Sequence, residues 1–161
     1  MIIMKSIIQS RITTPITLLT NDSVVTFQDD DIRTGGAKQC NPCGWLCHSE
    51  GNPLYKLKKE GLYHINTTLN VSASADGVVA FGVYLDGIKV FEGIENVLAG
   101  EYVNISIDKE LPVCGCGTLT IQSIPTVIDP TTITTPPLAS LETQIPIILS
   151  GNLELEFDNN C

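Results

Sequence analysis

The chain has 161 residues, of which 43% are hydrophobic and 17% charged, and its 18 acidic against 9 basic side chains give a formal net charge of −9. Such a chain is long and apolar enough to bury one full core, which excludes disorder throughout. Its acidic balance, with no basic group tighter than Lys56, Lys58 and Lys59, argues against nucleic-acid binding, because a negative surface repels phosphate.

Aromatic residues make up only 6% of the chain, so the core falls to Val, Ile and Leu, side chains suited to a pleated surface. The opening Met1-Ile2-Ile3-Met4-Lys5-Ser6-Ile7-Ile8 is interrupted by Gln9, Ser10 and Arg11, too soon for a secretory signal. No apolar run approaches the roughly 18 residues of a membrane span. The expectation is a protein made in a cytoplasm and not inserted in a membrane.

In chain order, residues 1–20 alternate apolar and polar stretches around Pro15, the pattern of an extended arm or an edge strand, where proline is tolerated. Residues 22–28, from Asp22 to Gln28, predict a first strand, followed by an acidic, glycine-rich loop from Asp29-Asp30-Asp31 to Gly35-Gly36. Residues 38–53 are irregular and hold Cys40, Cys43, Cys47 and His48. Residues 1–53 are therefore expected as an N-terminal arm and cysteine-bearing collar, and residues 54–161 as the sheet domain.

From Leu62 the period is two. Tyr63, Ile65, Thr67, Leu69 and Val71 share one face, and His64, Asn66, Thr68 and Asn70 the other, as in a half-buried strand. Val78 to Leu85 is apolar on both faces, with Val79, Phe81, Val83 and Leu85 in one set and Val78, Ala80, Gly82 and Tyr84 in the other. Such a strand needs cover on both sides. Ala80 and Gly82 beside Tyr84 would admit close approach of a second subunit, and these three are the expected contact between copies. Asp86-Gly87 predicts a type I′ hairpin, returned by Ile88, Val90 and Phe91. Further alternating strands are expected from Glu101 to Ile107, from Thr118 to Ile121, and around Leu153, Leu155 and Phe157 with Glu154 and Glu156 between them. The Thr/Pro-rich segment 125–137 excludes helix and central strand and is expected as a surface loop. Short strands with turn signals between them indicate an all-β sandwich or barrel.

The run Leu57-Lys58-Lys59-Glu60-Gly61-Leu62-Tyr63-His64-Ile65-Asn66 resembles the Gly-x-Tyr-x-Ile strand of tumour-necrosis-factor-like and complement-globular-head-like jelly rolls. The segments Val79 to Ile88, Tyr102 to Ile107 and Gly117-Thr118-Leu119-Thr120-Ile121 follow in the order of that family's next strands. The resemblance covers roughly residues 54 to 157 and carries no catalytic signature. It implies an antiparallel ten-strand jelly roll that assembles as a compact homotrimer. The cysteine-rich stretch near residue 40 and the long Thr/Pro segment depart from the pattern. Bacterial and phage members of this kind cap spore surfaces or decorate virions and fibres. The resemblance thus implies a virion structural protein whose partners are itself and other virion or surface proteins, with a spore-surface or secreted ligand-like module as the alternative.

Six cysteines stand at positions 40, 43, 47, 114, 116 and 161. Three readings are open. Cys40, Cys43, Cys47, His48, Cys114 and Cys116 include a C-x2-C spacing that can hold zinc. The same residues can form disulfides, with Cys114 and Cys116 reaching from one face of a strand toward the Cys40–Cys47 loop. They can also be buried free thiols. No cofactor other than such a zinc ion is expected.

An enzyme is not expected, because nucleophilic catalysis needs a nucleophile with a positioned base and only His48 and His64 are available as histidine bases. His64 falls on a polar strand face. Glu92 with Glu95 and Glu154 with Glu156 are outward pairs rather than the walls of a cleft. Asp29-Asp30-Asp31 does not follow the alternating ligand pattern of a calcium hand.

Overall fold

A computed structural model describes residues 5–18, 24–34, 46–125 and 145–158. Among the described residues there are eleven strands and no helix, hence no helix long and apolar enough to cross a membrane. In chain order the strands are β1 (Lys5–Ile12), β2 (Ile16–Thr17), β3 (Asp29–Thr34), β4 (Leu46–Cys47), β5 (Tyr55–Leu57), β6 (Gly61–Ser72), β7 (Gly77–Leu85), β8 (Ile88–Val97), β9 (Tyr102–Val113), β10 (Gly117–Ile124) and β11 (Ile147–Asp158). They make two antiparallel sheets. One has six strands in the order β3-β1-β11-β6-β9, with β2 also on β11, and the other has five in the order β4-β5-β10-β7-β8. The chain changes sheet between β3 and β4, β5 and β6, β6 and β7, β8 and β9, β9 and β10, and β10 and β11. The two sheets close over each other as a jelly-roll sandwich.

Period-two patterning decides which side chains meet between the sheets. Tyr63, Ile65, Thr67, Leu69 and Val71 of β6 are all buried, as their alternation predicts. Phe81, Val83, Leu119 and Ile121 of the five-stranded sheet and Leu153, Leu155 and Phe157 of β11 join the same core. Burial pushes the Tyr63 phenol up to about 12, against a smaller opposing effect of its backbone hydrogen bond with Lys59. Its hydroxyl donates to the Lys59 carbonyl at 2.6 Å. The ring lies 4.7 Å from that of Phe157. At the strand's start Gly61 has φ +153, and a Cβ there would lie 2.5 Å from the Phe157 ring. The Asp86-Gly87 turn has φ of 51 and 80, the positive pair a type I′ hairpin requires.

Of the two expectations for residues 1–20, an extended arm or an edge strand, β1 keeps the extended strand but not the edge position. β1 is hydrogen-bonded on both sides, to β3 and to β11, so the 53/54 boundary does not separate an arm from the sandwich. Ile8 and Ile12 face the core, with Ser10 buried between them; that small polar residue breaks the apolar alternation. Of the expected strand at 22–28, the described residues 24–28 form one bridge, Val24 to Gln122, with Val25 and Phe27 fully buried. The expected acidic loop is instead the start of β3. Aspartate is a poor strand former, but β3 is a sheet edge, and its first two aspartates are engaged by Arg11, Ser10 and His48. β8, β9 and β10 all run further than their clearest alternation. Residues 126–137 of the Thr/Pro segment, with Cys40, Cys43 and Cys161, lie outside the described residues.

Candidate functional site: two sheet faces and a buried histidine

The outer face of the six-stranded sheet is built by the polar half of each alternating strand. Antiparallel register lays these side chains in rows. Asn104 of β9, Asn70 of β6 and Ser150 of β11 stand together at one level, and Ser106, Thr68 and Asn152 at the next. Then come Asp108, Asn66 and Glu154, followed by Glu110, His64 and Glu156. β1 adds Arg11 beside Asn152 and Gln9 beside Glu154. The middle of the face is therefore neutral amides and hydroxyls, and one end gathers four carboxylates around an imidazole. Exposed Leu62 and Tyr102 mark its two extremities, at 44% and 58% of full exposure. A shallow groove of about 550 Å³ runs over it, lined by Gln9, Arg11, Asn66, Thr68, Asn104 and Asn152 among others.

At the acidic end, His64 Nε2 is hydrogen-bonded to Asp108, and the Gln9 amide donates to Glu154. A ring nitrogen of His64 and a carboxylate oxygen from each of Glu154 and Glu156 lie within 4.8 Å of one another. Sequence reasoning placed His64 on a polar face and Glu154 with Glu156 as an outward pair. It missed that they meet, because the meeting depends on β6 pairing with β11 from the far end of the chain.

On the five-stranded sheet, Ala80 and Gly82 are buried and Tyr84 is half-buried. A Cβ on Gly82 would lie 2.8 Å from Tyr84 Cε2 and 3.3 Å from both Lys89 Cγ and Ile124 Cδ1. The chain's own side chains thus fill the space over Gly82 that was expected to admit a second subunit. What remains on this face is an apolar row, Ile94-Ala80-Ile124, set across three strands.

His48 lies buried between the sheets' edges. Its Nδ1 meets Asp30 Oδ2 at 2.7 Å and its Nε2 meets the Asn52 carbonyl at 2.6 Å. Its ring stacks on Tyr55 at 3.8 Å with planes 6° apart. Ser10 Oγ donates to the other oxygen of Asp30. Serine, aspartate and histidine are thus together, but the hydroxyl meets the carboxylate and not the imidazole. With Ser10 at 2% exposure and His48 at 1%, the group is a structural tie rather than a nucleophile with its base.

Among the described residues, the candidate zinc ligands Cys47, His48, Cys114 and Cys116 are not brought together. Both ring nitrogens of His48 are engaged, and Cys47 is disulfide-bonded. Cys114 and Cys116 are free and exposed at the β9–β10 turn, so neither is the partner of Cys47. The reason is spacing. Cys47 pairs with Lys56 and Lys56 with Thr118, which sets β4 two strands, roughly 10 Å, from β10. A disulfide needs Cα atoms within about 7 Å.

No family model matches the chain, and no curated protein matches it. Solved structures do match in fold. The globular domain of a zebrafish complement 1qA protein superposes with a TM-score of 0.60 at 9% identity, covering 94% of this chain and 95% of that one. The Eiger TNF of S. frugiperda gives 0.59 at 7% identity over 96% and 91%. Murine APRIL gives 0.56 at 10% identity over 90% and 98%. The chain therefore has the tumour-necrosis-factor/C1q-like jelly-roll fold, as its strand order had implied.

Proposed function

We propose that this jelly roll is a non-enzymatic structural subunit of a virion, displayed as a homotrimer for assembly or surface attachment. The observation that carries the reading is the composition of the six-stranded sheet's outer face. Asn66, Thr68, Asn70, Asn104, Ser106 and Asn152 form a neutral centre on three of the longest strands, with carboxylates gathered at one end and Arg11 at the β1 margin. Depletion of charge at the centre of a surface patch, with an aromatic such as Tyr102 at its margin, is the composition of a contact between proteins. A second copy of the chain supplies a matching array of amides and hydroxyls.

Virion display is supported by the resemblance of the strand order to phage and bacterial surface modules of this fold. A spore or cell surface is the alternative location. The buried Ser10–Asp30–His48 tie supports the non-enzymatic reading, since its hydroxyl has no imidazole partner. A second contact surface is favoured by the apolar Ile94-Ala80-Ile124 row, which carries the expected Ala80 and lies beside Tyr84.

Mass spectrometry of purified particles tests the function. The reading requires this chain in the particles at a copy number divisible by three. Its absence from particles and presence in the soluble or spore-coat fraction would refute the virion assignment.

A further inference from the structure

The acidic end of the six-stranded face differs from an ordinary solvated carboxylate cluster in having an imidazole at its centre. His64 stands directly across from Glu156 on β11, and Glu154 lies two residues back on the same face of that strand. One ligand atom from each of the three falls within 4.8 Å of the others. Two ligands of a tetrahedral zinc-like ion sit roughly 3.4 Å apart, given metal–ligand lengths of about 2.0–2.2 Å. Side-chain rotation in the two long glutamates, rather than movement of the sheet, would have to close the remaining distance. The imidazole is oriented by the Asp108 carboxylate at Nε2, the kind of outer partner that metal-binding histidines carry. Glu154 is held by Gln9. From these placements we propose that His64, Glu154 and Glu156 bind a divalent first-row transition-metal cation, one per chain.

The donor set determines the class of ion. Magnesium and calcium take oxygen ligands, whereas one imidazole nitrogen with two carboxylate oxygens suits zinc, cobalt, nickel or manganese. All three donors stand on strands deep in a sheet rather than on loops, so little backbone entropy is lost on binding. The site uses none of the cysteines expected as zinc ligands.

Cobalt(II) titration of the full-length chain tests the proposal. Isothermal calorimetry reads stoichiometry, and visible absorption reads the ligand type. The expected result is one saturable cobalt per chain, without the intense near-ultraviolet absorption of cobalt–thiolate bonds. The same binding should persist when Cys114 and Cys116 are both replaced by serine. His64→Ala and Glu156→Gln should each weaken binding at least tenfold, whereas Glu110→Gln, beside His64 but outside the trio, should change it less than twofold. His64→Gln repeats the histidine test with a longer side chain, and circular dichroism verifies that each variant is folded. Absence of saturable binding would overturn the proposal. So would binding that survives the His64 and Glu156 substitutions, or binding that disappears with the two cysteines.

Discussion

Tyr63 shows how one residue ties local pattern to packing. Its alternation with Leu62 and His64 sends it inward, its ring meets Phe157, and its hydroxyl finds the Lys59 carbonyl. Burial raises the phenol from its ordinary value of 10.0 to about 12, because the phenolate is poorly solvated in the core. The folded chain therefore holds this proton more tightly than the unfolded chain. Its contribution to stability is complete below pH 10 and is lost as pH rises through 12. Ultraviolet titration of the tyrosines should show a late ionisation near 12 that is absent in Tyr63→Phe, and alkaline unfolding should begin in the same window. Gly61 is the second residue with a sharp requirement. Its positive φ and the Phe157 ring above it leave no space for a methyl group, so Gly61→Ala should cost about 1–3 kcal/mol, as overpacking does, read as a lower urea midpoint. Neither effect is visible from the glycine alone. The sequence places Gly61 at a strand start, but only the pairing of β6 with β11 brings Phe157 over it.

At the scale of elements, what was legible was local. β6 declares itself through ten residues of strict alternation, and the β7–β8 hairpin through Asp86-Gly87, whose geometry follows from two neighbouring residues. β1 and β3 were illegible because their partners are remote and their chemistry is atypical. Ser10 occupies an inward position, and three consecutive aspartates open β3. The structure resolves both oddities together, since Ser10, Asp30 and His48 satisfy one another in the interior. His48 also stacks on Tyr55 of β5, so the tie runs from the edge of one sheet to the edge of the other. The Asp30 and His48 side chains are both fully buried, and removing one partner of a buried pair leaves the other uncompensated, at about 3–5 kcal/mol. Asp30→Asn and His48→Ala should each produce a loss of that order in denaturant unfolding. The double variant should lose much less than the sum, because the two residues act as one unit. Equal and additive losses would mean that the two side chains stabilise the fold independently.

At the scale of the molecule, the strand order and the resemblance pointed to the jelly roll, and the fold comparisons agree with it over nearly the whole chain. The candidate sites were less legible. Cys47 and the Cys114–Cys116 turn lie two strands apart, a separation set by sheet order and not by spacing along the chain. The face with the neutral centre is assembled from β1, β6, β9 and β11, whose polar residues look unremarkable strand by strand. Only side by side do they form an uncharged field with a carboxylate-rich end. That field is the proposed basis for self-association, and Thr68 lies within it, between Ser106 and Asn152. Light scattering on the purified full-length chain, coupled to size exclusion, tests the homotrimer. The proposed homotrimer has an expected mass three times the 17.4 kDa of one chain, reduced to one chain by Thr68→Arg with the sheet content unchanged. A monomer at all concentrations would contradict it, as would a trimer that Thr68→Arg leaves intact and Ile94→Lys dissociates.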